Sequence, residues 1–251
     1  MSSNIKEFVH YCVDDYKRFV NINSFPSFTL KPKEMTMDKV ESQGFDAPAA
    51  TFYDFHTGKH TLVIWSRLFL PQMNAGYMVF HELTHIWDAE VYSQKDKVKH
   101  MSNKAYTEYH ADQIAFLKLL GAKSVDESFA FNMNQSFAIV GGIKTALEFV
   151  DMPRKHASEL ISRKDFPADI ETLATTMGLI FNYYGRRSVC KMYANDFVDS
   201  ADTSTIAGLI GKATVKALDE YMLGWFDANK VSVIGRIYGN MVISLAKSYK
   251  L

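Results

Sequence analysis

The stretch His81-Glu82-Leu83-Thr84-His85 decides how the chain is read. It sits inside a longer run, from about Ala75 to Tyr92, in which Val79, Phe80, Leu83, Ile86 and Trp87 recur at the spacing of one buried helix side. Residues four apart on a helix stand one above the other, so His81 and His85 project from the same face. Two imidazoles held that way match two corners of a tetrahedral zinc site, with their nitrogens at about 2.0–2.1 Å from the cation. Glu82 follows His81 and points a little further round the helix. From there a carboxylate can take a proton from a water polarised by the same cation without being a ligand itself. The pattern then calls for a third protein ligand and an open fourth position.

Few residues qualify as that ligand. Asp88 and Glu90 follow the histidines on the same helix, which carries their side chains along its axis rather than back to the metal. No glycine turn with a further histidine follows His85, which argues against a metzincin arrangement. A second helix, expected from Ser102 or Asn103 to Leu120 and closed by Gly121, offers Glu108-Tyr109-His110-Ala111-Asp112. Glu108 and Asp112 share a face. Glu108 can complete the site, and Asp112, one turn on, can accept a hydrogen bond from the outer nitrogen of a ligating histidine. His100, expected between the two helices, is the rival third ligand. His110 is a weaker one, because it points away from the Glu108 face.

The two motifs in this order, H-E-L-T-H at 81–85 and E-x-x-A-D-x-x-A at 108–115, resemble the gluzincin class of zinc metallopeptidases. Compact bacterial and phage forms of the ImmA/IrrE kind are the nearest likeness. It covers roughly Thr51 to Leu120. It implies an α+β, zincin-like metallopeptidase domain with a short antiparallel sheet beside the motif helix, Zn2+ held by His81, His85 and Glu108, and Glu82 as the catalytic base in peptide-bond hydrolysis. A peptide or protein substrate rests mainly on the resemblance, since zinc chemistry serves other hydrolyses too. With His100 as ligand the chain would look instead like SprT-type proteases acting on DNA-linked proteins. A third reading is a non-catalytic protein in which zinc only ties helices together; the intact Glu82 argues against it. The likeness also implies a Tyr or His that stabilises the oxyanion, for which Tyr106, Tyr109, His110, His156, Tyr183 and Tyr184 are candidates.

The rest of the chain frames this centre. Ile5, Phe8, Val9, Cys12, Val13, Tyr16, Phe19 and Val20 predict an amphipathic N-terminal helix. A short strand from Phe28 to Leu30 is expected to stop at Pro32. Ala50–Phe55 and His60–Trp65 predict a hairpin around His56-Thr57-Gly58-Lys59. His60–Trp65 is the expected free edge along which an extended peptide could lie. Asn74 is the expected cap of the motif helix. Past about Val125 apolar residues recur at helical spacing in Phe129–Val150, Pro167–Tyr184, Thr203–Phe226 and Val231–Tyr249. Gly141-Gly142 reads as a helix break, and Tyr183–Arg187 as a polar turn. The expected division is therefore 1–124, metallopeptidase domain, and 125–251, a helical lobe.

Composition narrows the function classes. The 251 residues carry 28 Lys+Arg and 28 Asp+Glu, so no global field favours nucleic acid or an anionic membrane surface. Two cysteines, Cys12 and Cys190, make neither a disulfide framework nor a thiolate metal site, and both read as small buried residues. No apolar run reaches the roughly 20 residues needed to span a bilayer. No basic region followed by an apolar core opens the chain. A cytoplasmic protein with no membrane partner is expected.

Overall fold

Hydrophobic spacing at the N-terminus creates the first packing surface. Ile5, Val9, Cys12, Tyr16 and Phe19 fall on one face of α1 (Ser3–Phe19), and all five are buried. The computed structural model that shows this describes residues 3–34, 47–66, 74–93, 95–140, 142–222, 224 and 228–250. The fold is mixed α+β and divides into two compact units. One comprises Met1–His100, Ile114–Phe129 and Ser136–Lys144; the other comprises Met101–Gln113, Ala130–Gln135 and Thr145–Leu251. One continuous helix, α3 (Lys97–Leu120), contributes residues to both.

In the first unit a three-stranded sheet has the order β1-β3-β2, with β1 at Phe28–Lys33, β2 at Ala49–Asp54 and β3 at Lys59–Trp65. The β2–β3 hairpin forms where expected. The Asp54 carboxylate accepts from the His56 and Thr57 N–H groups and from the Thr57 hydroxyl, and Gly58 takes φ +66° to close the turn. β3 is not a free edge, however. It pairs antiparallel with β2 and parallel with β1, because its inward residues His60, Leu62 and Ile64 are all buried and need a neighbour on each side. Among the described residues the edges are β1 and β2. Pro32 does not end β1; it pairs opposite Ile64, and an edge strand tolerates the missing N–H.

The motif helix α2 (Gly76–Asp88) packs its apolar side on α1. The Phe80 ring meets Tyr16 and Phe19 edge-on, at 5.3 and 5.4 Å between centroids. The Tyr16 hydroxyl donates to Thr84 Oγ1 at 3.1 Å, and Thr84 donates to the Phe80 carbonyl. Asn74 does not cap α2: the cap position is Ala75, in a helical conformation and without a side-chain bond. After Asp88 the helix widens into one π-helical turn, Ala89–Ser93. That turn delivers Glu90 to buried His60, 3.0 Å from Nε2.

Helix α3 starts more than a turn earlier than its polar leader suggests. The Asp96 carboxylate accepts the N–H groups of Val98 and Lys99 at 2.8 and 3.1 Å, which makes it an N-cap. Gly121 closes the helix with φ +92°. Near that end Lys118 pairs with Asp15 at 2.6 Å and lies over the Phe80 ring. The stretch expected to be helical from Phe129 to Val150 is helical only from Ala146; before that it holds a small hairpin, β4 (Ser136–Ile139) and β5 (Gly142–Thr145). Gly142 adopts φ +136°, which only glycine takes readily, and it opens β5 rather than breaking a helix; Gly141 lies outside the described residues.

The second unit is helical beyond that point: α4 (Ala146–Ile161), α5 (Ile170–Tyr193), α6 (Ser204–Ile210), α7 (Lys212–Tyr221) and α8 (Ala228–Tyr249). Thr145 and Glu148 form a reciprocal capping box on α4. Asp169 caps α5 through the Thr172 N–H. Tyr183–Arg187 is no turn; it lies inside α5 and is largely buried. Gly185 reads as a stop in sequence but is the contact point with the middle of α3, where a Cβ would collide with the Tyr109 carbonyl oxygen. Beside it the Gln113 amide donates to Ser188 Oγ, Tyr109 Oη and the Gly224 carbonyl. Arg187 reaches Asp199 through two nitrogens and Asp219 through a third. Both cysteines are buried and free, and burial pushes the Cys12 thiol up to about 12. Among the described residues no helix is long and apolar enough to cross a membrane.

Gly185→Ala measures the helix contact directly. Alanine is the better helix former by about 1 kcal/mol. The collision nonetheless makes the variant less stable by about 1–3 kcal/mol in urea denaturation.

Candidate metal centre

Helix period alone brings the two motif histidines together. Val79, Phe80, Leu83 and Ile86 are fully buried along α2, which leaves His81 and His85 half-exposed one turn apart on another face. Their rings stand edge-to-face with centroids 4.6 Å apart, and their Nε2 atoms are 3.0 Å from each other. Two donors each about 2.0–2.1 Å from a tetrahedral cation stand about 3.3–3.4 Å apart. The observed spacing is close to that. It also suits an N–H···N bond when one ring carries its proton at Nε2.

Glu108 completes the group. One ligand atom from each of His81, His85 and Glu108 lies within 4.8 Å of the others, and all three residues are half-buried. Two neutral imidazoles and one carboxylate suit a borderline cation such as zinc, whereas calcium or magnesium would call for more oxygens. Glu82 is 8% exposed and follows His81 on the same helix.

The remaining sequence candidates fall elsewhere. His100 lies within α3 and not between helices, because Asp96 starts that helix early. Its ring stacks on Tyr53 at 5.7 Å and meets Phe55 edge-on at 5.1 Å, and it is not a member of the three-residue group. Glu90 is bound to His60. Asp112, expected to serve a histidine, is held by Arg186 Nε at 2.9 Å. Among the oxyanion candidates, the Tyr109 hydroxyl donates to the Gly224 carbonyl at 2.7 Å, and Tyr106, Tyr183 and Tyr184 are buried.

Two residues near Glu108 escape sequence reasoning. Asn182 of α5 presents its side-chain amide to three acceptors, Glu108 Oε2 and Asp112 Oδ2 at 3.0 Å each and the Glu108 carbonyl at 3.2 Å. Only the amide nitrogen satisfies such a set, so it is the donor there. Asn182 and Arg186 are four apart and face Glu108 and Asp112, also four apart. That matched spacing is a sequence signal, but it becomes readable only once α5 is known to run through Gly185. The second is Tyr238 of α8, whose hydroxyl is pushed up to about 12 by burial first and then by the Glu108 charge, so it stays an O–H donor at neutral pH.

Compared with family models, curated proteins and solved structures, the chain gives no match in any of the three.

Metal analysis separates the candidate ligands. Purified protein loaded with zinc and desalted should carry about one zinc per chain, as a mononuclear site requires. Glu108→Ala should lose most of it and His100→Ala should keep it; the reverse pattern would move the third ligand to His100.

Proposed function

We propose that the chain is a zinc-dependent metallopeptidase of gluzincin-like type, with a zincin-like arrangement of sheet, motif helix and ligand helix. The observation that supports this reading most is the convergence of His81, His85 and Glu108, with Glu82 next to the first ligand. His81 and His85 supply neutral imidazole nitrogens, and Glu108 supplies the anionic ligand. When bound, zinc lowers the pKa of a water towards about 7 and polarises a carbonyl. Glu82 accepts the proton released from the attacking water and can return it to the leaving amine.

The peptide assignment draws on the sequence likeness and on the exposed strands of the sheet. Among the described residues β1 and β2 each have one side unpaired within the sheet, and an extended peptide can add to such an edge through main-chain hydrogen bonds. Phe52 of β2 is 60% exposed and offers an apolar contact on that strand. The reading with His100 as ligand loses support from the Tyr53 stacking. A purely structural zinc site shares the three ligands but has no use for Glu82.

Glu82→Gln distinguishes these. The amide keeps the shape and cannot accept the proton. The variant should retain one zinc and lose at least about 10²-fold in cleavage of a quenched-fluorescence peptide library, since general-base catalysis contributes on that scale. Undiminished cleavage would remove the catalytic role; absence of cleavage in the wild type across the library would favour the structural reading.

A further inference from the structure

Glu108 has a soft last torsion. The carboxylate end of a glutamate side chain rotates in a broad, two-fold well, so helix position alone does not fix which oxygen faces the histidines. A ligand that is free to turn costs affinity, because its ordering must be supplied by the metal. In this chain the ordering is built in beforehand.

We propose that Asn182 is the positioning residue of Glu108: a side-chain amide that locks the carboxylate through Oε2 and leaves Oε1 to the cation. The inference rests on the metal reading above and goes beyond it, since no ligand motif contains Asn182. Three geometric facts carry it. The amide nitrogen is 3.0 Å from Glu108 Oε2 and 3.2 Å from the Glu108 carbonyl, so it is tied to both ends of the residue it orients. It is also 3.0 Å from Asp112 Oδ2, so it bridges two carboxylates that would otherwise repel. Asp112 in turn is anchored by Arg186, whose Nη1 donates to the Phe149 carbonyl and whose guanidinium lies 3.8 Å above the Phe149 ring. The chain of contacts therefore runs from α4 through Arg186 and Asp112 to Asn182 and Glu108.

The close approach of α5 to α3 makes this reach possible. Gly185 stands under the Tyr109 carbonyl, and Gly178, one turn before Asn182, lies beside the Glu108 carboxylate, with a Cβ there 3.8 Å from Oε1. With both glycines on the α3 side, a residue as short as asparagine spans the gap. Hydrogen bonds to a charged acceptor are roughly twice as strong as neutral ones, so the lock has the strength to hold one rotamer. The role is distinct from catalysis: Asn182 acts on the metal only through Glu108.

The test uses the full chain with zinc and cobalt(II) as probes. Wild type, Asn182→Ala and Asn182→Leu are compared for zinc dissociation constant, by competition with a chromophoric chelator, and for melting of the metal-free protein. Both variants lack the donor but differ in volume. Removing a hydrogen bond behind a metal ligand lowers affinity about 10–100-fold. Both variants should show that loss, an altered cobalt ligand-field spectrum, and metal-free melting close to wild type. Variants that bind zinc as tightly as wild type overturn the proposal while leaving the metal site standing. A loss that follows side-chain volume, or that appears only with collapse of the metal-free fold in both variants, also overturns it, because Asn182 would then act through packing. Failure of the wild type itself to bind zinc removes the metal reading first, and the positioning role with it.

Discussion

The proposed site depends on one geometric requirement: the imidazole pair of α2, 3.0 Å apart, and the Glu108 carboxylate have to offer their ligand atoms to one cation. Helix period supplies the first half at no cost, because residues four apart share a face. The second half is a problem of tertiary structure. α3 is held at several points along its length. Asp96 starts it, Gly121 stops it, Lys118 fixes one end to Asp15, and Gln113, Tyr109 and Arg186 bind its middle to neighbouring segments.

That middle is crowded with buried polar groups, most of them paired, although Gln113 Oε1 has no hydrogen-bond partner among the described residues. Gln113, Ser188, Tyr109 and the Gly224 carbonyl form one network; Asp112, Arg186 and Asn182 form another. Buried polar networks are costly when incomplete and specific when complete. If the proposed site holds a cation, bonds that resist rotation of α3 would keep Glu108 in register. The same helix contact admits no side chain at Gly185, so helix spacing and ligand direction are set together.

Local physics explains what was legible in the sequence. The side-by-side placement of His81 and His85 and the Gly121 stop are readable because each follows from helix period or a single residue's backbone preference. The hairpin at Asp54–Lys59 is readable because its turn is made by adjacent residues. Features that depend on partners far away in sequence were not. The parallel pairing of β1 with β3 turned an expected edge into a centre strand. Gly185 reads as a helix stop because its reason for being glycine is the Tyr109 carbonyl in another element. Asn182 reads as an ordinary polar helix residue for the same cause. In Ser136–Thr145 the apolar residues Phe137, Ala138, Ile139 and Val140 form an unbroken run, which periodicity cannot tell from a helix segment. His100 was misplaced by less than a turn of helix, because the Asp96 cap is stronger than the polar run around it suggests.

X-ray absorption at the zinc edge of the loaded protein tests the central claim most directly. The account predicts four nitrogen or oxygen scatterers at about 2.0–2.1 Å, with the multiple-scattering signature of two imidazoles and no sulfur. A shell with three imidazoles, or with a sulfur at about 2.3 Å, would contradict it.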